Sequence, residues 1–475
     1  MILADEDTDG HYETRNVFVE GLNLASGIEL GFGGVWVGAA PHLLFFPDGD
    51  GDGKPDGEPE IVLDGWGYQD THETLNSFTW GPDGWLYGNQ GVFTQSNVGT
   101  PGCPDAERRR FNAGVWRFHP VSRRFEIFAL GGSNQWGLDF NEVGDAFMTH
   151  CRSYFGGGGT THVIRNGHFW NQANSGFAAF ICNNLEARSF APGMPNFLPA
   201  AARFDGGEGG AGKPGSGAVY GGHSPVGTMV YQGDNWPEVY RGHLFTNNLH
   251  GRQINHQEAV RAGSGYEVFP AGFDILYNPD FQYLAVDLQC GPDGSVLVSD
   301  WCDEQHCHVH LNEKWDRSNG RLFRVAWADT WKPVKVNLGK FSDAELVALH
   351  EHRNQWHVRT ARRLLQARAA AGRLEGTAVD PLRRAAGGDD PRAALEAIWT
   401  LHVTGNLTDE TLAAAAAHPS EYVRGWAVTL ATENPGSPRL PGDVLVKMAA
   451  SDPAASVRRN LASGRPREAP AARWR

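Results

Sequence analysis

Residues 72–91 read HETLNSFTWGPDGWLYGNQG. Pro82-Asp83-Gly84 is a turn signature, because proline presets φ and glycine accepts a positive φ. The runs 77–80 and 85–87 flank that turn with strand-forming aromatic residues, so the stretch predicts a β-hairpin. The pattern returns as CGPDGSVLVSDW at 290–301 and WGLDFNEVGDAFMT at 136–149. A hairpin repeated along one chain predicts a β-propeller, a ring of small antiparallel sheets.

Short apolar runs broken by Gly, Asp, Asn and Pro extend this reading from residue 30 to residue 326. They include 34–37, 43–46, 115–118, 125–128, 219–220, 228–231 and 322–325. Their length and punctuation suit strands rather than helices. Glycine-rich stretches at 156–161 and 206–217 read as excursions on one face. Trp66, Trp80, Trp85, Trp136 and Trp236 suit blade packing, with a sugar platform as the alternative.

Two acid-rich runs, DEDTDGHYE at 5–13 and DGDGDGKPD at 48–56, stand 43 residues apart, a period that suits one four-stranded blade. Alternation gathers Asp48, Asp50 and Asp52 around one concavity, Gly53 permits a sharp turn and Asp56 closes it, the arrangement hard oxygen ligands need for Ca²⁺. Asp5, Asp7, Asp9 and Glu13 repeat the pattern. Pro59 stands where an EF-hand requires glutamate, and an acid-rich surface turn remains the alternative.

After Trp331-Lys332-Pro333, glycine and aromatics give way to Ala, Leu and Arg at helical spacing. Segments aligned on Arg359, Arg392, Arg424 and Arg458 recur at 33, 32 and 34 residues, which predicts an α-solenoid. The expected domains are a propeller over 1–330 and a helical repeat domain over 338–475.

The 475 residues carry a net charge of −14, which disfavours nucleic acid and anionic membrane surfaces. No apolar run approaches the roughly 20 residues that span a bilayer. The start, MILADEDTDG, has no basic or apolar leader region, so a signal peptide is not expected in this chain. Six cysteines are too dilute for a disulfide framework. Cys302, His306, Cys307, His308 and His310 form a cluster readable as metal ligands or as structural thiols, and His150, Cys151 and His162 form a weaker one.

Several long stretches resemble a known family. HETLNSFTWGPDGWLYG, FHPVSRRFEIFALGGSNQWGLDFNEVGDAF, HSPVGTMVYQGDNWPEVYRGHLFTNNLHGRQIN, GPDGSVLVSDW, Cys307-His308 and WDRSNGRLFRV resemble the membrane-bound dehydrogenase family of planctomycetes and verrucomicrobia. That family looks like the soluble sugar dehydrogenases that use pyrroloquinoline quinone (PQQ). The resemblance implies a six-bladed propeller, its first blade incomplete here, followed by HEAT-type repeats. It also implies an exported protein, periplasmic or extracellular, and a truncated gene product.

In function the resemblance implies oxidation of a sugar or polyol, with His72 as general base. Asn134, His223, His250 and Arg321 would stand near PQQ, with Ca²⁺ held at the acid-rich runs. No haem is expected, since the chain has no CxxCH. Against the pattern, Val92 follows Gly91, Ser133 replaces an arginine, His250 stands near a lysine position, and the strand FQYLAVDLQ has no arginine. Arg321 and Arg324 also read as structural salt-bridge residues. The competing expectation is a non-catalytic scaffold that binds carbohydrate, or a protein through the helical repeats.

Overall fold

The computed structural model describes residues 1–7, 9–150, 160–171, 225–249, 252–271, 273–280, 282–303, 316, 318–433 and 439–464. His223, His250, Cys151, Cys182, the 206–217 stretch, the 219–220 run and the cluster His306 to His310 lie outside them.

The repeated turns share one geometry. Gly84 N donates to the Gly81 carbonyl at 3.0 Å, Gly144 N to Asn141 at 3.0 Å and Gly294 N to Gly291 at 3.0 Å. Their φ angles are +80°, +77° and +74°, where glycine is the residue with little steric cost. Each turn joins the first two strands of an antiparallel sheet, and five such sheets follow one another among the described residues as propeller blades. Blade one is Ala25–Leu30, Gly34–Ala39, His42–Pro47 and Glu60–Leu63. Blade two is Asn76–Trp80, Leu86–Gln90, Gly114–His119 and Arg124–Gly132, with His168–Asn171 parallel on its outer edge.

Blade three is Leu138–Phe140, Ala146–Thr149 and Thr160–Val163. Blade four is Pro225–Val230, Leu244–Asn248, Gln253–Ala262 and Gly265–Pro270, with Leu276–Tyr277 added to its third strand. Blade five is Ala285–Cys290, Val296–Asp300 and Arg321–Val325. A short hairpin, Ile2–Ala4 with Thr14–Asn16, sits where Tyr12 meets Arg324 of blade five and Ile2 meets the blade-one loop at Gly53.

The first strands of successive blades touch and form the inner ring. Contact is close enough that a Cβ on Gly137 would lie 2.6 Å from Thr228 N, and one on Gly227 2.7 Å from the Val286 carbonyl. Between the sheets, Trp66, Trp85 and Trp116 are fully buried, which places these tryptophans in the blade cores.

Among the described residues eight helices follow: α1 Asp343–Ala348, α2 Gln355–Ala370, α3 Val379–Ala386, α4 Pro391–Val403, α5 Asp409–Ala416, α6 Glu421–Ala431, α7 Gly442–Ser451 and α8 Ala455–Gly464. Ser342 and Glu345 form a capping box, and Asn354, Asp390 and Thr408 cap α2, α4 and α5. The even-numbered helices stack in order. Arg392, Arg424 and Arg458 each donate to a carbonyl of a preceding loop, of His352, His418 and Asp452, which explains the spacing of these arginines. None of the described helices is long and apolar enough to cross a membrane.

Arg359, the first of the series, reaches the propeller instead. From α2, Arg359 pairs with Asp139 at 2.7 Å and Arg363 with Glu29 at 3.3 Å, both carboxylates lying on inner strands. Gln366 donates to the Gly84 carbonyl, Asn354 to Gly291, and Trp426 of α6 to Val143, so the helices rest on the repeated turns. Arg117 and Glu433, both buried, join the two parts at 2.7 Å, and Asp83, Glu126 and Arg165 complete the network. Breaking such a buried pair by removing one partner costs about 3–5 kcal/mol. One end of the propeller is therefore covered by the helical region.

Candidate functional site

Each inner strand ends at a turn under the helices, so it begins at the opposite end of the propeller. That end carries the loops before the inner strands: residues 64–75 of blade two, 133–137 of blade three and 278–284 of blade five. Asn76 Nδ2 bridges two of them by donating to the Gln135 carbonyl at 3.1 Å. His72 lies in the first loop, Asn134 in the second, and Arg321 begins the strand beside the third.

His72 is exposed on the ring surface, and its Nδ1 lies 2.9 Å from Asp70 Oδ1, which also accepts from the His72 amide at 3.0 Å. A carboxylate can only accept, so this contact puts the ring proton on Nδ1 and the lone pair on Nε2. Glu73, next in the chain, is 1% exposed. Its Oε1 accepts from the Phe93 amide, and its Oε2 is buried without a hydrogen bond. Burial, with Asp70 adding to it, pushes the Glu73 carboxyl up to about 8, against the opposing Phe93 and Val92 amides. It is therefore an uncharged acid at neutral pH.

Asn134 holds φ +51° and has a buried Oδ1 without a partner, so its conformation is set by the loop rather than by its own side chain. Arg321 pairs with Asp300 at 2.6 Å through Nε and with Asp280 at 2.6 Å through Nη1. Those bonds raise its affinity for the proton, although burial opposes them. Arg324 packs on Tyr12 and Trp331, and donates to the Tyr12 hydroxyl at 2.7 Å.

The acid loops stand at the other end of the sheets. Asp5, Asp7, Asp9 and Glu13 offer one ligand atom each within 4.8 Å of one another, as do Asp48, Asp50 and Asp52. Asp56 instead accepts from the Gly49 amide at 2.6 Å. The Asp48 amide bonds the Gly33 carbonyl beside the first turn of blade one, which puts this loop far along the sheet from His72. His150 and His162 are buried within blade three, His162 3.3 Å from Asp145. Burial lowers the His162 ring below its usual range.

Reading from sequence passed over Asp70 and Glu73. The signal was present, since Asp70-Thr71-His72-Glu73 sets three ionisable groups within four residues of the inner strand.

Fold and site together define a β-propeller with a helical region seated on one end and a polar, histidine-bearing mouth at the other. The chain belongs to the family of a domain of unknown function, DUF7133, which matches residues 1–329. No curated protein sequence matches it significantly. Among solved structures it is similar to an oxidoreductase described as a glucose dehydrogenase from Thermus thermophilus, at 12% identity over 64% of this chain and 97% of that one, with a TM-score of 0.33. It is also similar to the apo form of the soluble aldose sugar dehydrogenase of Escherichia coli, at 16% identity over 58% and 74%, TM-score 0.34. A third is the PQQ-bound aldose sugar dehydrogenase of Streptomyces coelicolor, at 10% identity over 65% and 96%, TM-score 0.32.

Proposed function

We propose that the mouth opposite the helices binds a sugar or polyol and supports quinoprotein-type dehydrogenase chemistry, with His72 as the base that takes the hydroxyl proton. The observation that carries this reading is the Asp70–His72 pair at the start of an inner strand. Asp70 would orient the ring, the task the resemblance gives to an aspartate near the end of the hairpin, where Val92 stands here, and an imidazole held with its lone pair on Nε2 can accept a proton. The reading includes a six-bladed parent architecture, the N-terminal hairpin belonging to the remaining blade, a HEAT-like helical repeat and an exported protein.

PQQ would supply the hydride acceptor, and its three carboxylates need cations. On this end Arg321 is engaged by Asp280 and Asp300 and Arg108 by Asp64, and Asp70, Asp274 and Asp303 add negative charge beside Arg252. These residues do not fit a tricarboxylate, and this chain's part is taken only as far as the proton on His72. That same observation favours a second reading, a non-catalytic propeller that binds carbohydrate, with the helical repeats available to a protein partner.

Titrating PQQ calorimetrically into the protein in calcium, then assaying aldoses and polyols with an artificial electron acceptor, separates the two. The first reading stands only if PQQ binds despite those carboxylates, with turnover that drops by about 10²–10⁴ in His72→Ala. No heat and no turnover would leave the binding scaffold.

The acid loops are proposed as Ca²⁺ sites that brace the structure rather than serve the mouth. Asp5 and Asp48 each hold a buried, unbonded Oδ1. Melts in Ca²⁺ should therefore show a higher midpoint than melts in chelator, and an unchanged midpoint would remove the sites.

A further inference from the structure

The loop that carries His72 is held down by one buried acid. Glu73 accepts from the Phe93 amide through Oε1 and, through its own carbonyl, from the Gly91 amide at 3.0 Å. Gly91 leaves the room this needs, since a Cβ there would lie 2.2 Å from Glu73 Oε2 and 2.4 Å from Glu73 Cβ. Around this contact Thr94 Oγ1 donates to the Asp70 carbonyl at 3.0 Å, the Gln95 amide to Gln69 Oε1 at 2.9 Å, and Gln90 Nε2 to the Thr94 carbonyl at 2.6 Å. Loop 69–73 is thus laid against loop 91–95, with Glu73 at the centre of the seam.

We propose that Glu73 is a positioning residue for His72: seated against Gly91 and bonded to the Phe93 and Gly91 amides, it docks the histidine's loop on loop 91–95, a seam that a buried negative charge would loosen. The proposal deepens the reading of His72 as a base and rests on it. Loop 91–95 contributes no ionisable side chain to the seam, and Asp70 is the charged group facing Glu73 from its own loop. Ionised Glu73 would set a second negative charge beside the carboxylate that holds His72, in a place that admits little water. Both the repulsion and the lost desolvation balance act against docking. The burial that raises this carboxyl puts the change near pH 8.

The test needs neither substrate nor cofactor. With histidine ring carbons labelled and His72 identified from a His72→Gln spectrum, the His72 signals of the full chain are followed from pH 5 to pH 9. In the wild type they should show the imidazole's own inflection and a second, smaller one near pH 8. Glu73→Gln, which keeps the shape without the charge, should abolish the second and leave the first in place. A single inflection in the wild type, or a second one that persists in Glu73→Gln, overturns the proposal. If Glu73→Gln does not fold, the wild-type titration alone decides, because absence of the second inflection is enough. Loss of PQQ binding or turnover would overturn the catalytic reading without touching this one.

Discussion

Glu73 also governs stability on the alkaline side. Its carboxyl ionises near 4.5 when exposed and near 8 when folded, so between these values the unfolded chain has lost a proton that the native protein keeps. Its contribution is complete below pH 4.5 and fades as the pH rises toward 8. The slope this one group adds approaches about 1.4 kcal/mol per pH unit. Urea unfolding at pH 5, 6, 7 and 8 should show the wild type losing stability relative to Glu73→Gln as the pH rises, because only the wild type carries this ionisation. Equal profiles would mean that the carboxyl is not held neutral. His72 could be singled out from sequence because its place before a recognisable hairpin is local. Glu73 stands beside it in the sequence, but its burial is not local, because it comes from a fit against Gly91 at the far end of that hairpin.

At the scale of elements, the turns were legible and their partners were not. Pro-Asp-Gly and Asn-x-x-Gly announce a positive φ from four residues alone. The same glycines also leave space for the helices. A Cβ on Gly144 would fall 2.6 Å from the Trp426 ring and one on Gly84 2.5 Å from Gln366 Nε2. Gly144→Ala therefore meets both an unfavourable φ and an obstructed docking surface, and should cost about 1–3 kcal/mol. Gly102→Ala isolates the first effect, since Gly102 has φ +78° with nothing within 4 Å. Denaturant midpoints should rank Gly144→Ala clearly below Gly102→Ala; equal losses would mean that the glycine does not serve docking. The arginine spacing of the helical region was legible because Arg392, Arg424 and Arg458 sit near the starts of stacked helices and bond backbone within that region. Arg359 keeps the spacing but spends its charge on Asp139, 220 residues away, which no local pattern announces.

Across the whole molecule, the seam between propeller and helices is rich in groups that must stay in one protonation state. His119 shows why acid should open it. Its Nδ1 accepts from the Ser122 amide at 3.1 Å and from Val121 at 3.3 Å, so the ring is seated as a neutral acceptor. Burial, with His402 of α4 next in effect, lowers it to about 4, Arg117 and Arg124 also acting against its protonation and Glu433 in favour. Between the ordinary 6.5 and this value the unfolded chain binds a proton that the native protein refuses, so stability falls as the pH drops through that window. His256, lowered to about 4 by burial and then by His243, adds to the same limb from blade four. In unfolding free energies measured between pH 7 and 4.5, the wild type should lose stability relative to His119→Asn, which keeps an acceptor but cannot take the proton, with a difference in slope of up to about 1.4 kcal/mol per unit. An unchanged slope would place the acid response elsewhere. A decline in which helical signal and tryptophan fluorescence part company would locate the first opening at the seam, because His119 and His402 approach each other from opposite sides of it.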